Sequence, residues 1–179
     1  MKIINVHQRL LQARPEHAGA LINTLASAQD KLWPRMHWPR MVLDAPLGVG
    51  AAGGHGPIRY VVDAFEPGQR VRFRFTAPRG FDGWHALEVL DATSVHCVLE
   101  HRIEMNITGL ARLTWPLVFR PLHDALVEDA LANAQRSLGL VPHVPPWSGY
   151  VRFLRGLMRW LMTPRGTNTT NANRTHHAR

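Results

Sequence analysis

The chain of 179 residues holds one cysteine, Cys97. That excludes an internal disulfide framework and any cysteine-rich zinc module. No stretch approaches the roughly 18 consecutive apolar residues of a membrane-spanning helix. Residues 1–13 lack the apolar core of a secretory signal, so the expectation is a cytoplasmic protein, with peripheral contact at the inner face of the membrane left open. Acidic residues stop at Asp129, and lysine occurs twice, at Lys2 and Lys31. What is plentiful is apolar: 45% hydrophobic and 8% aromatic residues supply a packed core and exclude wholesale disorder.

The formal net charge of +8 invites a polyanion partner. Its distribution removes that reading. Residues 1–146 carry 15 basic and 13 acidic side chains, a net of +2, and the excess sits in the last 33 residues. No strand alternates aromatic with basic residues on one exposed face. Nucleic acid is therefore not an expected partner.

Residues 2–12 alternate as a first strand, with Ile4, Val6 and Leu10 on one face. Pro15 opens a helix whose apolar positions run from Ala18 through Ala28 and stop before Trp33-Pro34. Residues 33–57, with two Trp-Pro pairs and many glycines, read as a long loop. Strands are predicted over 58–65, 70–76, 84–90 and 95–105, joined by short turns, which means an antiparallel meander. A helix from Leu122 to Leu138 closes this part, with Leu126, Val127, Ala130 and Ala134 on one side and Asp124, Glu128 and Gln135 on the other. Pro116 and Pro121 are both candidate first positions for it, and Gly139 its stop. The predicted fold is α+β: a twisted antiparallel sheet wrapped around a long C-terminal helix, with an apolar cavity between them.

Local strings carry a resemblance. Gly54-His55-Gly56-Pro57-Ile58-Arg59-Tyr60, Phe65-Glu66-Pro67-Gly68, Gly83-Trp84-His85 and Arg120-Pro121-Leu122-His123-Asp124-Ala125, in this order of elements, resemble an uncharacterised bacterial branch of the SRPBCC superfamily. This is the START-like, helix-grip group that includes polyketide cyclase-like and lipid-transfer proteins. The resemblance covers residues 2–140 and implies a hydrophobic ligand cavity. It brings no catalytic motif, because the superfamily holds both catalysts and binders.

The candidate chemistry is a set of histidines. His85 shares a strand face with Leu87 and Val89, and His101 with Val95, Cys97, Leu99 and Ile103. A three-residue loop over Ala92–Ser94 would set His85 directly opposite His101. His123 lies in the middle of the closing helix's apolar arc. Converged, His85, His101 and His123 could act as general acid and base on a bound carbonyl compound. They could also form an open zinc site, but no local spacing such as His-x-x-x-His supports one, so neither metal nor cofactor is expected. The remaining alternative is histidines satisfied by their core neighbours. The predicted cavity lining is Val71, Phe73, Phe75, His85, Leu87, Leu99, His101, Ile103, His123, Leu126 and Val127.

Three other features lead nowhere chemical. Gly48–Gly53 matches G-x-G-x-x-G, yet no strand precedes it and no helix follows, so a dinucleotide site is rejected in favour of a loop at the cavity mouth. Cys97 reads as a small buried hydrophobe. Arg70, Arg72 and Arg74 read as a solvated outer stripe.

Residues 150–162 form a basic amphipathic helix after a proline-rich linker at 141–149, and residues 163–179 read as a disordered tail. Phe153, Leu157 and Trp160 lie opposite Arg152, Arg155 and Arg159, the pattern of an in-plane membrane helix touching an anionic surface. A helix packed on its own domain, or on a second subunit as a homodimer, has the same pattern. The sequence therefore supports binding of a hydrophobic small molecule or lipid, at a membrane surface if the helix docks there. The alternative is a cyclase- or hydrolase-type enzyme using the histidines.

Overall fold

The computed structural model describes residues 1–162. The predicted tail at 163–179 lies outside the described residues. Among the described residues, seven strands form one antiparallel sheet in the order β1-β7-β6-β5-β4-β3-β2. They are β1 (Lys2–Leu11), β2 (Val42–Leu43), β3 (Ala52–His55), β4 (Ile58–Glu66), β5 (Arg70–Ala77), β6 (Phe81–Leu90) and β7 (Cys97–Ile107). Helix α1 spans Pro15–Asn23, α2 Ala111–Thr114, α3 Arg120–Ser137 and α4 Gly149–Met162. The fold is the α+β helix grip, with α3 held against the sheet.

Two short strands, β2 and β3, occupy the region read as loop. Gly53 and Gly54 of the glycine run pair with Leu43 and Val42 on one side and with Tyr60 and Arg59 on the other. A side chain at Gly53 would collide with the Val42 carbonyl, so glycine here serves close strand packing and not a phosphate. Helix α1 ends at Asn23, short of Ala28. Its Gly19 lies flat on the β4–β5 turn, where a Cβ would overlap the Gly68 carbonyl, and Asn23 Oδ1 accepts the Gly68 N–H at 2.8 Å. The turn itself is as predicted: Gln69 N–H donates to the Glu66 carbonyl at 3.0 Å and Gly68 has φ +79°.

The closing helix starts eleven residues earlier than Leu122, at Ala111. A π-helical turn, Trp115–Phe119, joins α2 to α3, and both prolines fall inside the helical run. Pro121 has no N–H and its ring crowds the carbonyl four residues back. The wider turn relieves this: Arg120 N–H bonds the Trp115 carbonyl, and the unclaimed Leu117 carbonyl accepts the Tyr150 hydroxyl of α4 at 2.6 Å.

Strand β1 is turned over relative to the predicted face. Ile3, Asn5, His7, Arg9 and Leu11 point inward, while Ile4, Val6 and Leu10 are exposed. The inward polar residues meet the acids of α3. Arg9 Nη2 lies 2.6 Å from Glu128 Oε2, and Asn5 Nδ2 donates to Asp124 Oδ1 at 3.0 Å. The polar side of α3 is thus applied to the sheet edge. The arginine stripe of β5 is paired: Arg72 and Arg74 share Asp63, at 2.8 and 3.0 Å, and Arg70 faces Glu88 at 3.6 Å.

Candidate functional site

A cavity of about 710 Å³ separates the sheet from α3. Strands β5–β7 supply Phe73, Phe75, Phe81, His85, Leu87, His101 and Ile103, because their odd-numbered residues all face inward. Helix α3 supplies Leu122, His123, Leu126, Val127 and Ala130. Nine of the predicted lining residues are there. Val71 and Leu99 are not: both are fully buried in the packed core beside the cavity. Trp115 and Phe119, from the early helical turn, close one end.

The other wall was not predicted. It is built from the Trp-Pro loop, with Trp33, Met36, Trp38 and Met41, and from α4, with Arg155 and Met158. Arg155, predicted to face a membrane, is instead buried. Its guanidinium carbon lies 3.7 Å from the Trp147 ring centre and 4.3 Å from that of Trp38, and Nη2 donates to the His37 carbonyl. Both indole N–H groups donate to Asp129 Oδ2, at 2.7 Å from Trp38 and 3.1 Å from Trp147. The last acidic residue of the chain therefore anchors a cation–π clamp over the cavity. The remaining predicted membrane contacts, Arg152, Phe153, Leu157, Arg159 and Trp160, are exposed on α4.

The three predicted histidines come together, but not in the predicted register. The β6–β7 connection is longer than Ala92–Ser94, β7 begins at Cys97, and Val95 is exposed. Leu87 stands opposite His101, and His85 opposite Ile103. The two imidazoles are diagonal neighbours on one face, with His101 Nε2 3.3 Å from His85 Nδ1. His123 packs against His101 with the rings tilted by 49° and their centres 4.9 Å apart. His85 is packed between Phe73 and Phe75, at 4.9 and 5.0 Å.

Two further histidines belong to the cluster. His7 of β1 pairs across the ladder with His101, and its ring centre lies 5.9 Å from that of His123. Its nitrogens contact Glu128 Oε1 at 2.8 Å and Asp124 Oδ1 at 3.1 Å. His55 of β3 contacts the Tyr60 hydroxyl at 3.1 Å and packs on Trp33. Neither was visible in the apolar patterning: His7 lies on a face that reads as outward, and His55 in a glycine-rich stretch.

Burial sets the charge states. Desolvation holds His85 and His101 well below the ordinary histidine range, and nearby imidazoles add to it. His55 is lowered to about 3 by burial, with His123 and Arg59 contributing. Burial also lowers His123, against the opposing pull of Asp124. His7 behaves differently: burial would lower it, but its contacts with Asp124 and Glu128 outweigh that and raise it. Asp124 is pushed up by burial, yet hydrogen bonds from His123, His7 and Asn5 prevail and keep it ionised.

The His85–His101 contact joins two neutral rings, so one donates and the other accepts. Their outer nitrogens, His85 Nε2 and His101 Nδ1, are buried with no partner among the described residues. Whichever ring donates, one outer nitrogen is a donor and the other an acceptor, a pair able to pass a proton between two points of a bound molecule.

No protein-family model matches the chain, and no curated protein is similar to it in sequence. Its fold is shared with solved structures. A Thermobifida fusca protein determined by NMR superposes with a TM-score of 0.59 at 13% identity, over 79% of this chain and 99% of that one. Norcoclaurine synthase from Thalictrum flavum, holding dopamine and hydroxybenzaldehyde, superposes at 0.54 with 13% identity, over 78% and 88%. The di-domain ARO/CYC StfQ of the steffimycin biosynthetic pathway superposes at 0.54 with 14% identity, over 75% of this chain and half of that one. At such identities the likeness establishes the fold, a helix grip, and not an activity.

Proposed function

We propose that this protein binds a hydrophobic small molecule or lipid between sheet and α3. The observation that supports this best is the cavity itself. Its volume lies within the range of small-molecule sites, about 300–1,000 Å³, and its walls are aromatic and aliphatic with a few convergent imidazoles. Ala130→Trp would project an indole into that space. The expected result is a fall in affinity for an apolar fluorescent probe by about tenfold or more, from lost burial. Unchanged probe affinity with an intact fold would sink the reading.

Delivery at an anionic membrane is the finer part of this proposal. Leu113, Leu117 and Phe153 are all exposed, and the Tyr150 bond to Leu117 brings α2 and the π turn to the start of α4. Arg112, Arg120 and Arg152 are exposed on the same segments, which hold no acid between Met105 and His123 or after Asp129. Flotation with phosphatidylglycerol vesicles should recover the wild-type chain. Leu113→Glu combined with Phe153→Glu should abolish recovery, and equal flotation of both proteins would reject membrane docking.

A second reading, catalysis on a carbonyl compound of the cyclase or hydrolase type, is favoured by the unpartnered outer nitrogens of His85 and His101. One neighbour of the fold holds an aromatic aldehyde. Under this reading His101→Ala keeps the bound molecule and loses its turnover by about a hundredfold or more. Recovery of the molecule chemically unchanged from wild type and variant alike would leave a pure binder.

A further inference from the structure

Where β1 meets α3, three metal-type donors from separate side chains converge. His7 Nε2 lies 3.1 Å from Asp124 Oδ1, and His123 Nδ1 lies 3.4 Å from the same oxygen. Each of the three residues offers one donor atom within 4.8 Å of those of the other two. Zinc binds imidazole nitrogen and carboxylate oxygen at about 2.0–2.1 Å, so adjacent ligands of a tetrahedral ion stand about 3.3 Å apart. The two measured edges bracket that value.

We propose that His7, His123 and Asp124 form a binding site for a zinc-class divalent cation. The surroundings suit one. A metal-bound histidine characteristically donates its second N–H to a carboxylate, and His7 Nδ1 lies 2.8 Å from Glu128 Oε1. Glu128 is itself fixed by Arg9, at 2.6 Å. Asn5 holds Asp124 Oδ1 from the sheet side at 3.0 Å, and Arg120 Nε stands 3.6 Å from Oδ2. The Asp124 side chain is about one-third exposed, which leaves water access for a fourth ligand. No sequence spacing announces the site, because β1 supplies one ligand and α3 the other two.

The ion would also change what the cavity presents. Without it, His123 Nδ1 faces a carboxylate and so carries the ring's proton, which leaves Nε2 an acceptor. That Nε2 is buried and has no partner among the described residues, on a ring that lines the cavity. Ligation uses the Nδ1 lone pair. The ring stays neutral, the proton moves to Nε2, and the proton on His7 Nε2 is released to water. An unpartnered acceptor at the cavity wall thereby becomes a donor, suited to the carbonyl or carboxylate oxygen of an otherwise apolar molecule. This consequence rests on the ligand-binding reading of the cavity; the ion site itself does not.

The test uses the full chain carrying His176→Ala and His177→Ala, which removes the adjacent tail imidazoles, and Co²⁺ as the probe. The expected result is one equivalent bound, with the visible absorption of a four-coordinate ion, displaced by Zn²⁺. His123→Ala and Asp124→Asn should each weaken binding by about tenfold or more. His101→Ala, which removes a ring packed against His123 but not a ligand, should bind as its parent does. Nitrogen NMR of the zinc-saturated parent should place the His123 proton on Nε2. Absence of the absorption, undiminished affinity in Asp124→Asn, or a proton still on Nδ1 at saturating zinc would overturn the proposal. Should His123→Ala fail to fold, Asp124→Asn and the parent's NMR still decide. Probe binding in the cavity is measured separately, so loss of the ion site and loss of the ligand-binding reading are distinguishable.

Discussion

Asp129→Ala is expected to destabilise the protein by about 3–5 kcal/mol, the range for breaking a buried, charge-assisted network. The carboxylate is 7% exposed and accepts both the Trp38 and the Trp147 indole N–H. Its removal leaves two donors without an acceptor and takes away a negative charge that favours the Arg155 guanidinium. Scanning calorimetry should register a fall in Tm of about 10 °C for a domain of this size. Because the clamp holds α4 against the cavity wall, amides of 149–162 should also exchange faster. Asp129→Asn keeps one acceptor and should fall between the two. A Tm unchanged in Asp129→Ala would mean that the clamp contributes nothing and that α4 is held by its other contacts, Val151, Leu154 and the Tyr150 bond to Leu117.

Acid should weaken the fold well above the pH at which carboxylates titrate. His55 and His85 are neutral when folded, held down first by burial and then by neighbouring imidazoles and Arg59. In the unfolded chain each titrates near 6.5. The unfolded state therefore binds more protons below pH 6.5, so the contribution is complete above that pH and declines as pH falls through it. Between pH 6.5 and 5 each such histidine should cost about 2 kcal/mol. Urea midpoints measured across that window should drop accordingly. His55→Gln combined with His85→Gln should reduce the dependence by their share and leave that of His101 and His123, which burial lowers in the same way. A midpoint constant from pH 7 to 5 in the wild type would contradict the buried neutral state.

The strand pattern of β5 to β7 and the cavity side of α3 were legible because one face of each element is mostly apolar and turned to the core. Phe73, Phe75, Leu87, Ile103, Leu126 and Val127 all project inward, as alternation and the 3.6-residue repeat require. The same rule failed on β1. There the inward face is Asn5, His7 and Arg9, which hydrogen-bond to Asp124, Glu128 and Gln135 of α3. A polar face is buried at no great cost when the apposing face is polar and complementary, and a single strand's alternation carries no trace of what will oppose it. His7 was missed for that reason.

Register failed for a related cause. Predicting His85 directly across from His101 required the length of the β6–β7 turn, and two residues more in that turn slide the ladder by one inward pair. Because the slide preserves which face is apolar, no hydrophobic signal opposes it.

Sequence alone determined the architecture: a meander sheet gripping a long helix, with His85, His101 and His123 on the faces that enclose a cavity. Only the tertiary structure decided that five histidines assemble there, that Asp124 belongs with His7 and His123, and that Arg155 is the centre of a clamp. Periodicity reports how a segment meets the core, a property of neighbours a few residues apart. The clamp contact between Arg155 and His37 spans 118 residues, and that between His7 and Asp124 spans 117. Such contacts are fixed by the placement of whole elements, and it is they that set the chemistry of the site.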